Sequence, residues 1–90
     1  MTFMRTIDRS TAFKRDFKKH GDIDVALIEV LYNLLNDKAL PEKYRDHLLS
    51  GDWVGYRECH VKPDLLLIYK QADENTLRLA RLGSHSELFG

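Results

Sequence analysis

Apolar residues recur every three or four positions in the first third of the chain and alternate or bunch together in the last third. Helical and extended periods therefore follow one another along the sequence. Ser10 suits a helix N-cap, because its hydroxyl can accept from an early free N–H, and Phe13 and Phe17 then fall four apart on one face. Lys18, Lys19 and His20 place positive charge at the end of that helix, where His20 is read as serving the dipole, and Gly21 fits a left-handed stop. A second helix has Asp22 as its cap and an amphipathic stripe of Ile23, Leu27, Val30, Leu31, Leu34 and Leu35, ended by Asn36-Asp37-Lys38. Residues 3–8, short and mixed, are expected to form an edge strand.

The second half changes period. Residues 39–50 contain Pro41 and read as a loop with at most a short helical turn. Residues 53–61 carry strand formers (Trp53, Val54, Tyr56, Val61), and Lys62-Pro63-Asp64 is a turn signal. The run Leu65-Leu66-Leu67-Ile68-Tyr69 is too short for a helix and suits a central strand buried on both faces. A polar turn over residues 71–75 leads to an alternating stretch over 76–82, so three strands should form an antiparallel meander. That topology brings residues 83–85 near Asp64, and burial of Leu88 and Phe89 should anchor the tail. The expected architecture is α+β, in the order β-α-α-β-β-β, with two helices packed on one face of a twisted antiparallel sheet.

Composition adds limits. Ninety residues support one modest core, so a single domain over residues 1–90 is expected. The lone Cys59 excludes an internal disulfide and multi-cysteine zinc patterns, and reads as a small buried apolar residue. No apolar stretch follows the opening Met1-Thr2-Phe3-Met4-Arg5 and no run is long enough to cross a membrane, so a cytoplasmic location is expected. Net charge is zero but unevenly spread: residues 1–20 hold six Lys/Arg against two acids, a net of +4, whereas residues 21–46 hold three against six, a net of −3. That distribution permits an RNA-facing surface, although from charge alone a solvated helix face is the commoner reading.

Candidate chemistry lies in the second half, at His47, His60, His85 and Asp64. Cleavage of RNA by its own 2′-hydroxyl needs a base for that proton, an acid for the departing 5′-oxygen and cations for the phosphorane. Imidazole serves as acid or base near neutrality. Arg57, Lys62 and Arg81 are candidate phosphate clamps, and Phe89 and Trp53 candidate stacking residues. Three histidines and an aspartate also make a metal set, but no pair has the helical spacing of a zinc motif, and neither metal nor cofactor is expected. Taken one by one, the histidines are more often structural or merely exposed than catalytic, and Trp53 and Tyr56 more often packing than ligand contacts.

The segment from Asp46-His47 through Gly51-Asp52-Trp53 and Tyr56-Arg57-Glu58-Cys59-His60-Val61-Lys62-Pro63-Asp64 to Leu67-Ile68-Tyr69 resembles the YafQ branch of the RelE toxins. The closing Arg81-Leu82-Gly83-Ser84-His85-Ser86-Glu87-Leu88-Phe89 resembles the tail of that branch. The resemblance implies the RelE-like α+β fold and a toxin of a type II toxin–antitoxin system. Such a toxin is an endoribonuclease that enters the ribosomal A site, cuts messenger RNA there without a metal cofactor, and is silenced by an antitoxin protein. It also implies catalytic positions at His47, His60, Asp64, His85 and Phe89. In the roles so implied, His85 is acid or base at the scissile phosphate with His60 as its partner. Asp64 orients a histidine, His47 contacts phosphate or assists proton transfer, and Phe89 positions the nucleotide. One departure is Leu65, where the family's best-known member has tryptophan after the Pro-Asp pair; substrate affinity or codon preference should feel that change. Rival readings are a gyrase-inhibiting toxin of the same fold, a non-enzymatic interaction module, and a metal-dependent nuclease.

Overall fold

The computed structural model describes residues 5–90, so the beginning of the strand expected over residues 3–8 lies outside the described residues. In chain order the elements are β1 (Thr6–Arg9), α1 (Thr11–His20), α2 (Val25–Leu35), β2 (His47–Leu48), β3 (Arg57–Lys62), β4 (Leu65–Asp73), β5 (Thr76–Gly83) and α3 (His85–Phe89). Five strands form one sheet in the order β1-β5-β4-β3-β2. The apolar run at Leu66, Leu67, Ile68 and Tyr69 is buried at every position, which only the centre of a two-sided sheet permits. Strands β3, β4 and β5 make the antiparallel meander, with Cys59 opposite Leu67 and Leu67 opposite Leu82. The first strand adds a parallel edge instead, running from Thr6 beside Thr76 to Arg9 beside Leu79, so the sheet is mixed.

Phe13 of α1 and Leu27 and Val30 of α2 pack on one face of the sheet, against Leu67, Leu79 and Leu82. The other face carries a second cluster of Leu66, Ile68, Ala80 and Leu88, with Leu49, Trp53 and Tyr56 against it. Where β1 ends, α1 covers the edge of β5. Ser10 caps the helix by accepting from the Phe13 N–H at 2.9 Å, and its hydroxyl donates to the Ala80 carbonyl at 2.6 Å. One turn on, Asp16 accepts from the Leu82 N–H at 3.0 Å, taking the place of a strand carbonyl.

Four local expectations change. Gly21 has φ −77°, not a left-handed value; a Cβ there would lie 2.1 Å from the Phe17 ring, so it is space for that ring that calls for glycine. The cap of α2 is Asp24, which accepts from Leu27 N–H at 3.0 Å, and Ile23, ahead of it, is 72% exposed. The loop over 39–50 contains a 3-10 turn at Glu42–Tyr44 and the short strand β2. In the tail, Leu88 is buried at 8% exposure but Phe89 is 37% exposed, because successive helical residues point about 100° apart and only one can face the sheet.

Candidate active site

Two histidines, His47 and His60, meet at one carboxylate through a chain of anchored neighbours. Tyr44 is buried and donates its hydroxyl to Glu29 of α2, while Asp46 accepts from Tyr69 and from the Arg57 guanidinium at 3.1 Å. Between them Arg45 takes a left-handed φ of 51°, closing the 3-10 turn with its N–H on the Glu42 carbonyl at 3.0 Å. Both phenols are pushed above the usual tyrosine range. For Tyr44 the Glu29 hydrogen bond raises the value to about 12; for Tyr69 burial is the first cause and Asp46 the second. These tyrosines therefore stay protonated and act as fixed donors.

The same segment delivers His47. Its Nδ1–H donates to the Arg45 carbonyl at 2.8 Å, which leaves Nε2 as the nitrogen free to gain or lose a proton. That Nε2 lies 3.6 Å from Oε1 of Glu58, the residue opposite it on β3. His60 approaches the same oxygen, its Nε2 at 3.4 Å. Glu58 is buried at 4% exposure, and its register opposite Ile68 puts it, with His60 opposite Leu66, on the face turned away from α1 and α2. A bulge after His60 leaves Val61 unpaired in the ladder and re-aims Lys62 toward Asp24, with which it forms an ion pair.

The row of Cα partners His60, Leu66 and Gly83 crosses three strands, so the chain leaves β5 about 10 Å from His60. Ser84 then starts α3 with a capping box: it accepts from the Glu87 N–H at 3.3 Å while Glu87 accepts from the Ser84 N–H at 2.9 Å. Glu87 also takes His20 Nε2 at 2.8 Å and Lys19 Nζ at 3.2 Å, pinning α3 to the end of α1. The Ser84 N–H first, then His20 and Lys19, hold its carboxyl at about 2. His85 and Phe89, one turn apart on the exposed side, face each other with ring centroids 5.2 Å apart.

Not every candidate joins this group. Asp64 is exposed in the β3–β4 turn, without a hydrogen bond or ion pair to another described residue. Arg57 is engaged by Asp46, Lys62 by Asp24, and Arg81 by Asp16 at 2.6 Å. Burial opposes the charge of Asp16, but the Arg81 guanidinium and the Leu82 N–H together keep its carboxyl below the ordinary value. Trp53 meets Tyr56 edge-on at 5.3 Å and packs against the second cluster. His20, read as a dipole partner, also binds Glu87. Cys59 is fully buried and burial pushes its thiol up, so it is no nucleophile. Glu58 is the residue that sequence reasoning passed over; its signal was an acid two positions before His60, on the same strand face.

Although two imidazoles share one carboxylate, no group of three or more His, Cys, Asp or Glu side chains among the described residues is arranged to hold a metal ion. The arrangement is suited to moving protons: two imidazoles reachable from solvent share one buried carboxylate, and a third, His85, is exposed on a tethered helix that directly follows β5.

Residues 5–90 match the family of the bacterial toxin of type II toxin–antitoxin system, YafQ. The mRNA interferase toxin YafQ of Escherichia coli K12 is 40% identical over 90 residues, covering 96% of this chain and 97% of that protein. A crystal structure of a metal-bound toxin from Helicobacter pylori is 50% identical, with 96% of this chain and 100% of that one covered and a TM-score of 0.83. The toxin in the E. coli DinJ–YafQ toxin–antitoxin complex is 40% identical, with 98% and 100% covered and a TM-score of 0.80. Fold and length agree with these relatives, and the chain belongs to the YafQ family of type II toxins.

Proposed function

We propose that this protein is an mRNA interferase that cuts messenger RNA in the ribosomal A site by acid–base chemistry and is held silent by a cognate antitoxin. Family membership and the name of the E. coli relative support the interferase activity, and the relative's complex with DinJ supports the antitoxin. The observation that carries the chemistry is the Glu58 carboxylate set 3.4 Å from His60 and 3.6 Å from His47, one of which, His60, lies in the row of partners that ends at Gly83, two residues before His85.

In the proposed step a histidine takes the proton of the 2′-hydroxyl. The 2′-oxygen attacks the adjacent phosphorus, the bond from phosphorus to the 5′-oxygen breaks, and a second histidine gives that oxygen a proton. The products are a 2′,3′-cyclic phosphate and a 5′-hydroxyl. His85 exchanges a proton at the scissile phosphate with His60 as its partner, and His47 holds phosphate or relays the proton. Glu58 stabilises whichever of His47 and His60 is positive. Asp64, exposed in the β3–β4 turn, polarises a histidine once RNA is bound, and Phe89 positions a nucleotide by stacking. Arg57, Lys62 and Arg81 favour phosphate through their field even while paired, and Trp53, packed against the second cluster, is the candidate stacking residue on that side of the sheet. No step passes through a metal.

The A site explains how a chain with no net charge handles RNA: the ribosome supplies most of the positioning. On the outer side, Ile23, Val25, Ile28 and Tyr32 are exposed at 72%, 81%, 53% and 54%, an apolar surface of the kind a protein partner covers. No helix among the described residues is long and apolar enough to cross a membrane, and the reading places the protein in the cytoplasm with its ribosomes.

The test is 5′-end mapping of a translated message in a reconstituted system, with His85→Ala alongside and a chelator selective for transition metals in one arm, magnesium being maintained. In-frame cuts at A-site codons are expected with the protein, chelated or not, and none with a folded His85→Ala. Intact message in every arm would overturn the proposal, and cuts abolished by the chelator would overturn its metal-free form.

A further inference from the structure

An open cleft of about 560 Å³ lies beside His60, between the start of α2, residues 43–45 and the bulge of β3. Its lining includes Lys43, Arg45, His60 and Lys62. The charges there are not equivalent. Lys62 is paired with Asp24, and Lys43 lies 3.6 Å from Glu29 and 5.1 Å from the Tyr44 ring centroid. The Arg45 guanidinium makes no hydrogen bond or ion pair with another described residue.

Its backbone is the reverse of free. Arg45 has the left-handed φ of 51°, which costs a side-chain-bearing residue energy and is usual for glycine or asparagine. The neighbours impose it: Tyr44 is buried and bonded to Glu29, Asp46 is held by Arg57 and Tyr69, and the Arg45 carbonyl is taken by His47. An unusual conformation fixed from both sides, on an exposed residue that lines the cleft with His60 and keeps its guanidinium uncommitted, suits an anion-binding arginine.

We propose that Arg45 and this cleft bind an RNA phosphodiester next to the scissile one, holding the strand so that the reacting phosphate meets His60. The proposal rests on the nuclease reading and identifies the arginine that Arg57 and Arg81, both engaged by carboxylates, leave the site needing. The shared ligand chemistry is a phosphodiester, which either the message or ribosomal RNA could supply.

The experiment compares wild type with Arg45→Ala, Arg45→Glu and Arg45→Lys in the reconstituted cleavage system at several salt concentrations, with Tm recorded for each. Arg45→Ala should raise KM about tenfold with kcat nearly kept. Charge reversal should do more and Arg45→Lys less. The slope of log(1/KM) against log salt should flatten by about 0.7 for the one lost phosphate contact. Binding to ribosomes with and without message then assigns the source: a loss seen without message places ribosomal RNA in the cleft, and a loss seen only with message places mRNA there. If wild type cuts and folded Arg45→Glu cuts with unchanged KM, the cleft proposal is overturned while the nuclease reading stands. If wild type does not cut, that reading falls, and NMR titration with a 2′-O-methylated RNA hexamer decides the cleft. Shifts confined to Ala26, Lys43, Arg45, Val61 and Lys62 sustain it, and their absence overturns it.

Discussion

In the proposed site a single residue, Glu58, sets the charge beside two histidines. A carboxylate at 4% exposure is costly to desolvate unless something repays it, and here its near neighbours are two imidazoles at 3.4 and 3.6 Å. Neither approach is a short hydrogen bond, so the pairing contributes more to placing charge than to stability. Replacement by the isosteric amide separates the two roles. Glu58→Gln keeps the volume and removes the charge, and should lower kcat by roughly 10- to 100-fold with KM little changed. Its Tm should be equal to or above that of wild type, because a buried charge becomes a neutral group. A melting temperature lowered by many degrees, with per-molecule activity retained, would make Glu58 a structural residue and remove it from the site. Parallel thermal melts and single-turnover cleavage measure both quantities.

At the scale of elements, α3 is the most dependent piece. Five residues do not make a stable helix alone, so its position is set by Leu88 under one side and Glu87 on the other. The Glu87 carboxyl is held at about 2, against an ordinary 4.5, by the Ser84 N–H and then by His20 and Lys19. A value depressed on folding means stabilisation that is complete above about pH 4.5 and is lost as pH falls toward 2. Amide exchange in α3 should therefore lose protection across that window in wild type, ahead of β4, and Glu87→Gln should show weaker protection with little pH dependence between those limits. If both proteins lose α3 and β4 protection together, the tether does not act locally. This dependence also marks where sequence reading stops. The meander, the Ser10 cap and the buried run at residues 65–69 were legible because neighbours along the chain or simple alternation specify them. Gly21 was misread because the feature it serves is a ring packed back across the helix end. The cap of α2 moved from Asp22 to Asp24 because the sequence offers two aspartates two residues apart and only packing chooses. The parallel place of β1, the strand β2 and the meeting of Glu58 with His47 depend on partners many residues away, which local patterns do not encode.

In the whole molecule the sheet is covered unequally, and that inequality separates stability from function. One face is sealed by α1 and α2 over Cys59, Leu67, Leu77 and Leu82, all at 0% exposure; the other is covered by α3 and the segment around Trp53 and Tyr56. Glu58 and His60 belong to the lightly covered side, where the proposed site lies, while the heavily covered side holds the fold. The two faces should therefore respond differently to the same chemical change. Leu67→Ala empties space in the main core and should cost about 2–5 kcal/mol. For a domain this size each kcal/mol lowers Tm by roughly 4–8 °C, so the melting curve should fall by about 10 °C or more. Leu88→Ala removes the buried anchor of a five-residue helix at the end of the chain, where little else depends on it. Its Tm should fall by less than half as much, yet cleavage should drop by more than tenfold, because the proposed mechanism needs His85 and Phe89 held in the place that α3 gives them. Leu67→Ala, assayed well below its own Tm, should retain most of its cleavage. Melting curves and cleavage rates for the two variants, measured under one buffer, decide the matter. Equal losses of Tm would make α3 part of the main cooperative core, and retained cleavage in Leu88→Ala would remove the need for α3 to be anchored.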